Sequence, residues 1–245
     1  MDLAELNYAL IKAAKKGHLA VVQKLLDAGA DVNSTNKYGY TALMFASEYG
    51  NLEVVKALLD AGAGKDALRR SGIALILASK NGHAAIVQAL LDAGANKETK
   101  LKNGETALIL ASFFGHAGTV QALLNAGANM EANNDDGDTA LICVCSSYKS
   151  HPKTVWALLA AGAEVGATNK SEETARSCAI FNGYTKIAQM LENPPLHATP
   201  VAEAVAPEAA VAPETAAAVP ATAAVATASE TADDDDSSSS SDEDE

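Results

Sequence analysis

Apolar positions in the first 193 residues fall into pairs of short helical stretches, and the pairs repeat at a near-constant interval. In one unit Leu43 and Ala46 stand three apart within 41–50, while Val54, Val55, Leu58 and Leu59 form an i, i+1, i+4, i+5 stripe within 52–61. Gly50-Asn51 breaks the two stretches, and Gly62 falls where a helix C-terminus takes a left-handed residue. Gly39, Gly72, Gly104 and Gly137 mark a turn at the head of the following unit. Asp-Ala-Gly-Ala ends the units at 27–30, 60–63 and 92–95, and returns as Asn-Ala-Gly-Ala at 125–128 and Ala-Ala-Gly-Ala at 160–163, in steps of 33, 32, 33 and 35 residues. A period in the thirties predicts an all-α solenoid. A unit with one apolar face cannot bury it alone and has to stack on its neighbours.

Several motifs recur in phase with this period. Gly-x-Thr-Ala-Leu stands at 39–43, 104–108 and 137–141, a Gly-His pair follows at 17–18, 82–83 and 115–116, and Leu-Leu-x-Ala-Gly-Ala closes the units. In this the chain resembles the ankyrin repeat family. The resemblance covers roughly 5–193 and implies about six helix-turn-helix repeats joined by short β-hairpin-like loops. Their boundaries fall near 5–36, 37–69, 70–101, 102–134, 135–169 and 170–193.

Departures from the family pattern set further expectations. The family's Thr-Pro-Leu-His reads Thr-Ala-Leu-Met or Thr-Ala-Leu-Ile here, which removes a polar link between neighbouring repeats and predicts a less rigid stack. The third unit is one residue short and reads Gly72-Ile73-Ala74-Leu75, and the fifth carries a two-residue insertion around Tyr148–Pro152, with Ser150-His151 in place of Gly-His. Arg176 replaces a core Leu in the last unit, and Lys12 stands at the equivalent of Phe45 in the first. Polar residues at both ends suit the open faces of a solenoid.

Charge divides the chain. The formal net charge is −13, but 12 acidic residues and no Lys or Arg lie from Pro194 onward, so residues 1–193 are close to neutral at −1. Residues 194–232 are rich in Ala, Pro, Val and Thr and read as a flexible linker, and 233–245 reads as a disordered acidic tail. No run of about 18 apolar residues is present, so no membrane span is expected. The acidic start, with Asp2 and Glu5, predicts no secretory signal. Cys143, Cys145 and Cys178 form no disulfide framework, which suggests reduced thiols in an intracellular, cytoplasmic or nuclear setting.

Candidate chemistry is confined to binding. In the family, variable positions at the hairpin tips and on the exposed side of the first helix form a concave groove. Here they include Tyr38, Tyr40, Tyr49, Arg70, Lys80, Lys102, Phe113, Phe114, Asp136, Asp138, Tyr148 and Phe181, with Lys15, Lys16, Glu48 and Asp135 beside them. Seven of the ten Phe and Tyr residues lie in that set, and aromatics are enriched where interfaces gain their energy. Lys and Arg dominate the first four units and Asp the fifth. His18, His83 and His116 share one repeat position and read as structural. Cys143 and Cys145, two apart on a helix, point to different faces and do not make a zinc pair. Gly64-Lys65-Asp66 lacks both the first glycine and the Ser/Thr of a phosphate loop. No catalytic residue set, metal or cofactor is implied.

In the tail, Ser239, Ser240 and Ser241 each precede an acidic residue by three and resemble casein kinase sites, where each phosphate would add about −1.5 to −2 charge. Asn33, in Asp-Val-Asn, resembles the asparagine hydroxylation sites of ankyrin repeats. The expectation is a monomeric, non-catalytic adaptor for one or more protein partners, with the tail as modulator. An alternative makes the tail a binder or chaperone of basic proteins such as histones or ribosomal proteins. A third reading folds the tail back on the body's own basic residues. Nucleic acid is disfavoured, because the body is near neutral and the tail repels phosphate.

Overall fold

The computed structural model of the protein describes residues 2–64 and 68–194, with 68–70 described by backbone alone. The expected linker from residue 195 on, the acidic tail with Ser239, Ser240 and Ser241, the Lys65-Asp66 pair and the side chain of Arg70 lie outside the described residues.

Twelve helices run in chain order among the described residues: α1 (Leu3–Lys15), α2 (Leu19–Asp27), α3 (Ala42–Glu48), α4 (Leu52–Asp60), α5 (Leu68–Lys80), α6 (Ala84–Asp92), α7 (Ala107–Phe113), α8 (Ala117–Asn125), α9 (Ala140–Ser146), α10 (Pro152–Ala160), α11 (Ala175–Phe181) and α12 (Thr185–Glu192). Each odd helix packs on the even helix that follows it. The odd helices also stack on one another in sequence, as do the even ones. The result is a two-layered all-α repeat solenoid with one continuous core.

The recurring threonine starts the first helix of most units. Thr41, Thr106, Thr139 and Thr174 have extended backbone, and each side chain accepts a hydrogen bond from the N–H three residues on, at Met44, Ile109, Ile142 and Ser177. That satisfies a donor which a helix start leaves open. Before each cap the chain makes a narrow turn. The N–H of Asn36 donates to the carbonyl of Tyr40, Leu101 to Glu105, Asn134 to Asp138 and Asn169 to Glu173. Isolated antiparallel bridges join Thr35 to Thr41, Asn133 to Thr139 and Thr168 to Thr174.

The third unit corrects the expectation of a turn at Gly72. Ile73 stands where the second, fourth, fifth and sixth units place their capping threonine, so no hydroxyl stops the helix there. Helix α5 therefore continues back to Leu68 and runs for 13 residues, where α3, α7, α9 and α11 have seven each. Gly72 lies inside it, with the turn at 96–99 against its α-carbon.

Register through the stack is read from single columns of equivalent residues. Leu10, Leu43, Leu75, Leu108 and Leu141 fill one column and are buried, while Arg176 closes it exposed, 3.2 Å from the Glu192 carboxylate. In the next layer Ala14, Ser47, Ser79, Ser112 and Cys145 are all fully buried. Only small residues let adjacent first helices approach this closely. Ile180, in the same column of the last described unit, is 56% exposed. At the other end, Lys12 is exposed, and an Asp2–Glu5 capping box starts α1.

Polar links between units are present, but at a different place from the one lost with Thr-Pro-Leu-His. The His83 ring nitrogen Nε2 lies 3.1 Å from the carbonyl of Glu48, and His116 Nε2 lies 2.9 Å from that of Lys80. A carbonyl only accepts, so both rings carry their proton on Nε2. Asn51 fills the same position in the second unit and donates from Nδ2 to the carbonyls of Ala14 and Lys15. Tyr184 donates its hydroxyl to the carbonyl of Ser147 at 2.7 Å. Side chains at the Gly-His position thus tie the end of one first helix to the next unit, which gives the repeating histidines their structural role.

Candidate functional site

The C-terminal ends of the first helices come together along one side of the stack. Because equivalent residues follow one another from unit to unit, a side chain at such an end meets its neighbours from the adjacent helices. The sequence places Lys15, Glu48, Lys80, Phe113 and Phe181 in one such column, with Tyr49 and Phe114 one residue further on.

Two aromatic groups form there. In the first, Tyr40 and Phe45 have ring centroids 5.1 Å apart, and Phe45 and Tyr49 are 6.5 Å apart. Lys15, from the preceding unit, holds its Nζ 5.8 Å from the Phe45 ring centre and 5.4 Å from that of Tyr49. In the second, Phe113 stands edge-on to Phe114 at 5.2 Å and edge-on to Tyr148 at 5.9 Å. His116 stacks on Phe114 at 6.4 Å, and Lys80 Nζ lies 5.9 Å from the Phe114 centroid. Edge-to-face pairing matches the positive rim of one ring to the negative face of the next, and a cation over a ring face uses the same charge distribution.

Glu48 sits between the two groups. Partial burial pushes its carboxyl above the ordinary range, and the ammonium groups of Lys80 and Lys15 pull it back. Tyr40 is pushed up by burial first and then by the charge of Glu48.

The expected site residues fall into distinct places. Tyr40 and Tyr49 share the first group, and Lys80, Phe113, Phe114 and Tyr148 share the second. Tyr40, Lys80 and Phe113 are half-buried, whereas Tyr49, Phe114 and Tyr148 present exposed rings, Tyr148 at 66%. Phe181 is 90% exposed on the last unit. Tyr38, Lys102 and Asp136 are exposed at the hairpin tips, with Lys37 Nζ 5.2 Å from the Tyr38 ring centre. Asp138 is half-buried and accepts from Nδ2 of Asn169 at 2.8 Å. Asn33 is half-buried, and its Oδ1 accepts from the Gly64 N–H at 3.0 Å. Phe45 is a member the sequence reading passed over. It is 7% exposed and counts as core, yet it joins Tyr40 to Tyr49. Its place in the second unit, between Tyr40 and Tyr49, was the available signal.

The three cysteines are buried in the last two units. Burial raises the Cys143 thiol well above its usual value, raises Cys145 to about 12, and raises Cys178 as well. At pH 8 they therefore stay protonated, and the thiolate is the reactive form. In the native protein all three are expected to resist an aromatic disulfide reagent at pH 8 and to react together once denaturant is added. Equal rates with and without denaturant would show that these thiols are accessible. No group of three or more His, Cys, Asp or Glu residues is arranged to hold a metal ion among the described residues, and no helix there is long and apolar enough to cross a membrane.

Stacked helix pairs, turns between them and a side-chain surface built one residue per unit define the class, an all-α repeat solenoid. An ankyrin repeat family model matches in three copies, over residues 2–69, 63–134 and 118–198, and the chain belongs to the ankyrin repeat family. Proteins of this family are typically non-catalytic modules for protein–protein interaction. Among curated proteins, no individual relative matches the sequence.

Proposed function

We propose that this protein is a non-catalytic adaptor that holds a protein partner across the C-terminal ends of its first helices, on the concave side of the stack. The observation that carries the reading is the exposed part of the two aromatic groups: Tyr49 with Lys15 above it, and Phe114 and Tyr148 braced by Phe113 and Lys80. Rings already fixed against one another lose little freedom on binding, so most of their contact energy is available to a partner. Aromatic anchors of this kind dominate interface energetics, and cations held on their faces add orientation. The acidic C-terminal segment serves as modulator, and cytoplasm or nucleus as the setting.

The test replaces Tyr49, Phe114 and Tyr148 together with Ala. Partner affinity is expected to fall by at least about a hundredfold, since anchors of this type cost about 2 kcal/mol or more each and do not add fully. All three rings are exposed, so the thermal midpoint should stay within a few degrees of the parent. Unchanged affinity in a folded triple variant would remove this surface from the account.

A further inference from the structure

We infer that the partner segment held by this surface is basic and apolar, an arginine-bearing stretch that sets its cation against Glu105, Asp138 and Glu173 and its apolar side chains against Phe114 and Tyr148. The inference rests on the adaptor reading and names the chemistry of the partner at that same surface.

The apolar half of the contact is the helix-end side of the fourth to sixth units. Phe114 and Tyr148 present exposed rings there, and Ile180 and Phe181 continue the line onto the last described unit. Charge decides what lies on it. The residue just before the capping threonine is Tyr40 in the second unit and Glu105, Asp138 and Glu173 in the fourth, fifth and sixth. Tyr40 shows where this column points, because its ring packs on Phe45 and through it reaches Tyr49. The column therefore borders the same side of the stack as the helix ends, about 10 Å away across a seven-residue helix. Cys143 and Cys178 occupy the Phe45 position in their units. Burial first, and then the charges of Asp138 and Glu105, raise the Cys143 thiol, and after burial Glu173 and Asp138 push up Cys178, which agrees with that placement.

These carboxylates lack a cation of their own. Nδ2 of Asn169 donates to Oδ1 of Asp138 at 2.8 Å and to Oε2 of Glu173 at 3.0 Å, so the two oxygens, from adjacent units, lie within about 6 Å of each other. Among the described residues no Lys, Arg or His forms an ion pair with either. Oε2 of Glu105 is buried and has no hydrogen-bond partner there. Two like charges held this close favour a group that donates to both. A planar guanidinium fork does so, whereas an ammonium acts as a point charge. Lys102 and Lys170 stand at the same hairpins, but 102–105, 135–138 and 170–173 together hold six carboxylates against these two.

Lysines on the other side set the orientation. Lys80 lies over the Phe114 ring, and Lys149 follows Tyr148, so the helix-end side repels a further cation. The arginine is thus directed to the hairpin side and an apolar residue to the rings. In an extended segment about 10 Å corresponds to about three residues. The rings supply contact area, and the carboxylates fix register and orientation.

The experiment is selection of random twelve-residue peptides, displayed on phage, by the immobilised full chain at physiological salt. The selected peptides should carry net positive charge, with Arg about three residues from an aromatic or aliphatic side chain. The Asp138→Asn/Glu173→Gln variant still offers a carbonyl oxygen to Asn169 at both places, so its circular dichroism should match the parent. It should bind the consensus peptide at least about tenfold more weakly, and so should Phe114→Ala/Tyr148→Ala. A neutral or acidic consensus that depends on Phe114 and Tyr148 would overturn the inference and leave the adaptor reading standing. Basic peptides held equally well by Asp138→Asn/Glu173→Gln would also overturn it, since another acidic part of the chain would be binding them. Selection of no consensus, or of one indifferent to both variants, would count against both readings.

Discussion

Leu108→Arg is expected to unfold the centre of the stack, whereas Arg176, at the same register position in the last unit, is tolerated as it stands. Leu108 is 1% exposed in α7, which packs between α5 and α9. A guanidinium there would lose its water and find no carboxylate, and breaking a core in this way costs more than about 4 kcal/mol. Domain stabilities are about 5–15 kcal/mol in total, so the loss is a large share of what holds the protein together. In a solenoid each unit contacts only its neighbours, so the damage also separates the two halves of the array. Denaturant unfolding followed by far-ultraviolet circular dichroism should show a collapsed midpoint or two separate transitions. Arg176→Leu, on the open end, should leave the midpoint close to the parent and lower solubility. If Leu108→Arg kept the parent midpoint, the register assigned to the Leu column would be wrong.

Gly72→Ala carries the second large effect, with a sign opposite to the usual one. Replacing glycine by alanine inside a helix normally stabilises by roughly 0.5–1 kcal/mol, because the glycine backbone loses more freedom on folding. At Gly72 a β-carbon would overlap Thr99, lying 2.7 Å from its Cβ, and would come within 3.0 Å of the Asn96 carbonyl. Thr99 is buried and part of a turn, so it cannot swing aside. The expected outcome is destabilisation by about 1–3 kcal/mol, the range for forcing extra volume into a packed site. Thr99→Gly in the same chain should restore part of the loss, and a double-mutant cycle on denaturant midpoints would read the coupling. A stabilising Gly72→Ala would mean that α5 does not lie against the 96–99 turn.

The architecture was legible in the sequence because the units repeat the same local instructions. Each Gly-x-Thr-Ala-Leu encodes a turn, a helix cap and a buried leucine, and the in-phase Ala-Gly-Ala endings set the stacking register. Where an instruction changes, the reading fails in a definite way. Gly72 looked like a turn glycine by phase, but Ile73 cannot cap, and the helix runs through. The histidine missing from Thr-Pro-Leu-His signalled a lost polar link between units, and the links that are present run instead from His83, His116, Asn51 and Tyr184. Candidate site residues were visible by position, because variable positions follow the same period. Their grouping was not, because it depends on which side chains of adjacent units meet. Lys15 over Phe45 and Tyr49, and Phe113 against Tyr148, are contacts across the stack. Periodicity along one unit contains no such information.

The central claim is that the folded stack, rather than its acidic extension, holds the protein partner. The most direct measurement is a quantitative pull-down at low and high salt with the full chain, residues 1–193 and residues 194–245 as separate baits. A salt-sensitive acidic block and an aromatic surface respond differently to ionic strength, since screening weakens exposed charge contacts and leaves apolar burial nearly unchanged. If the stack holds the partner, residues 1–193 should retain it through high salt and the Tyr49, Phe114 and Tyr148 triple variant should lose it. Partners held only by 194–245 and released by salt would contradict it and make the protein an acidic binder carried on an ankyrin scaffold.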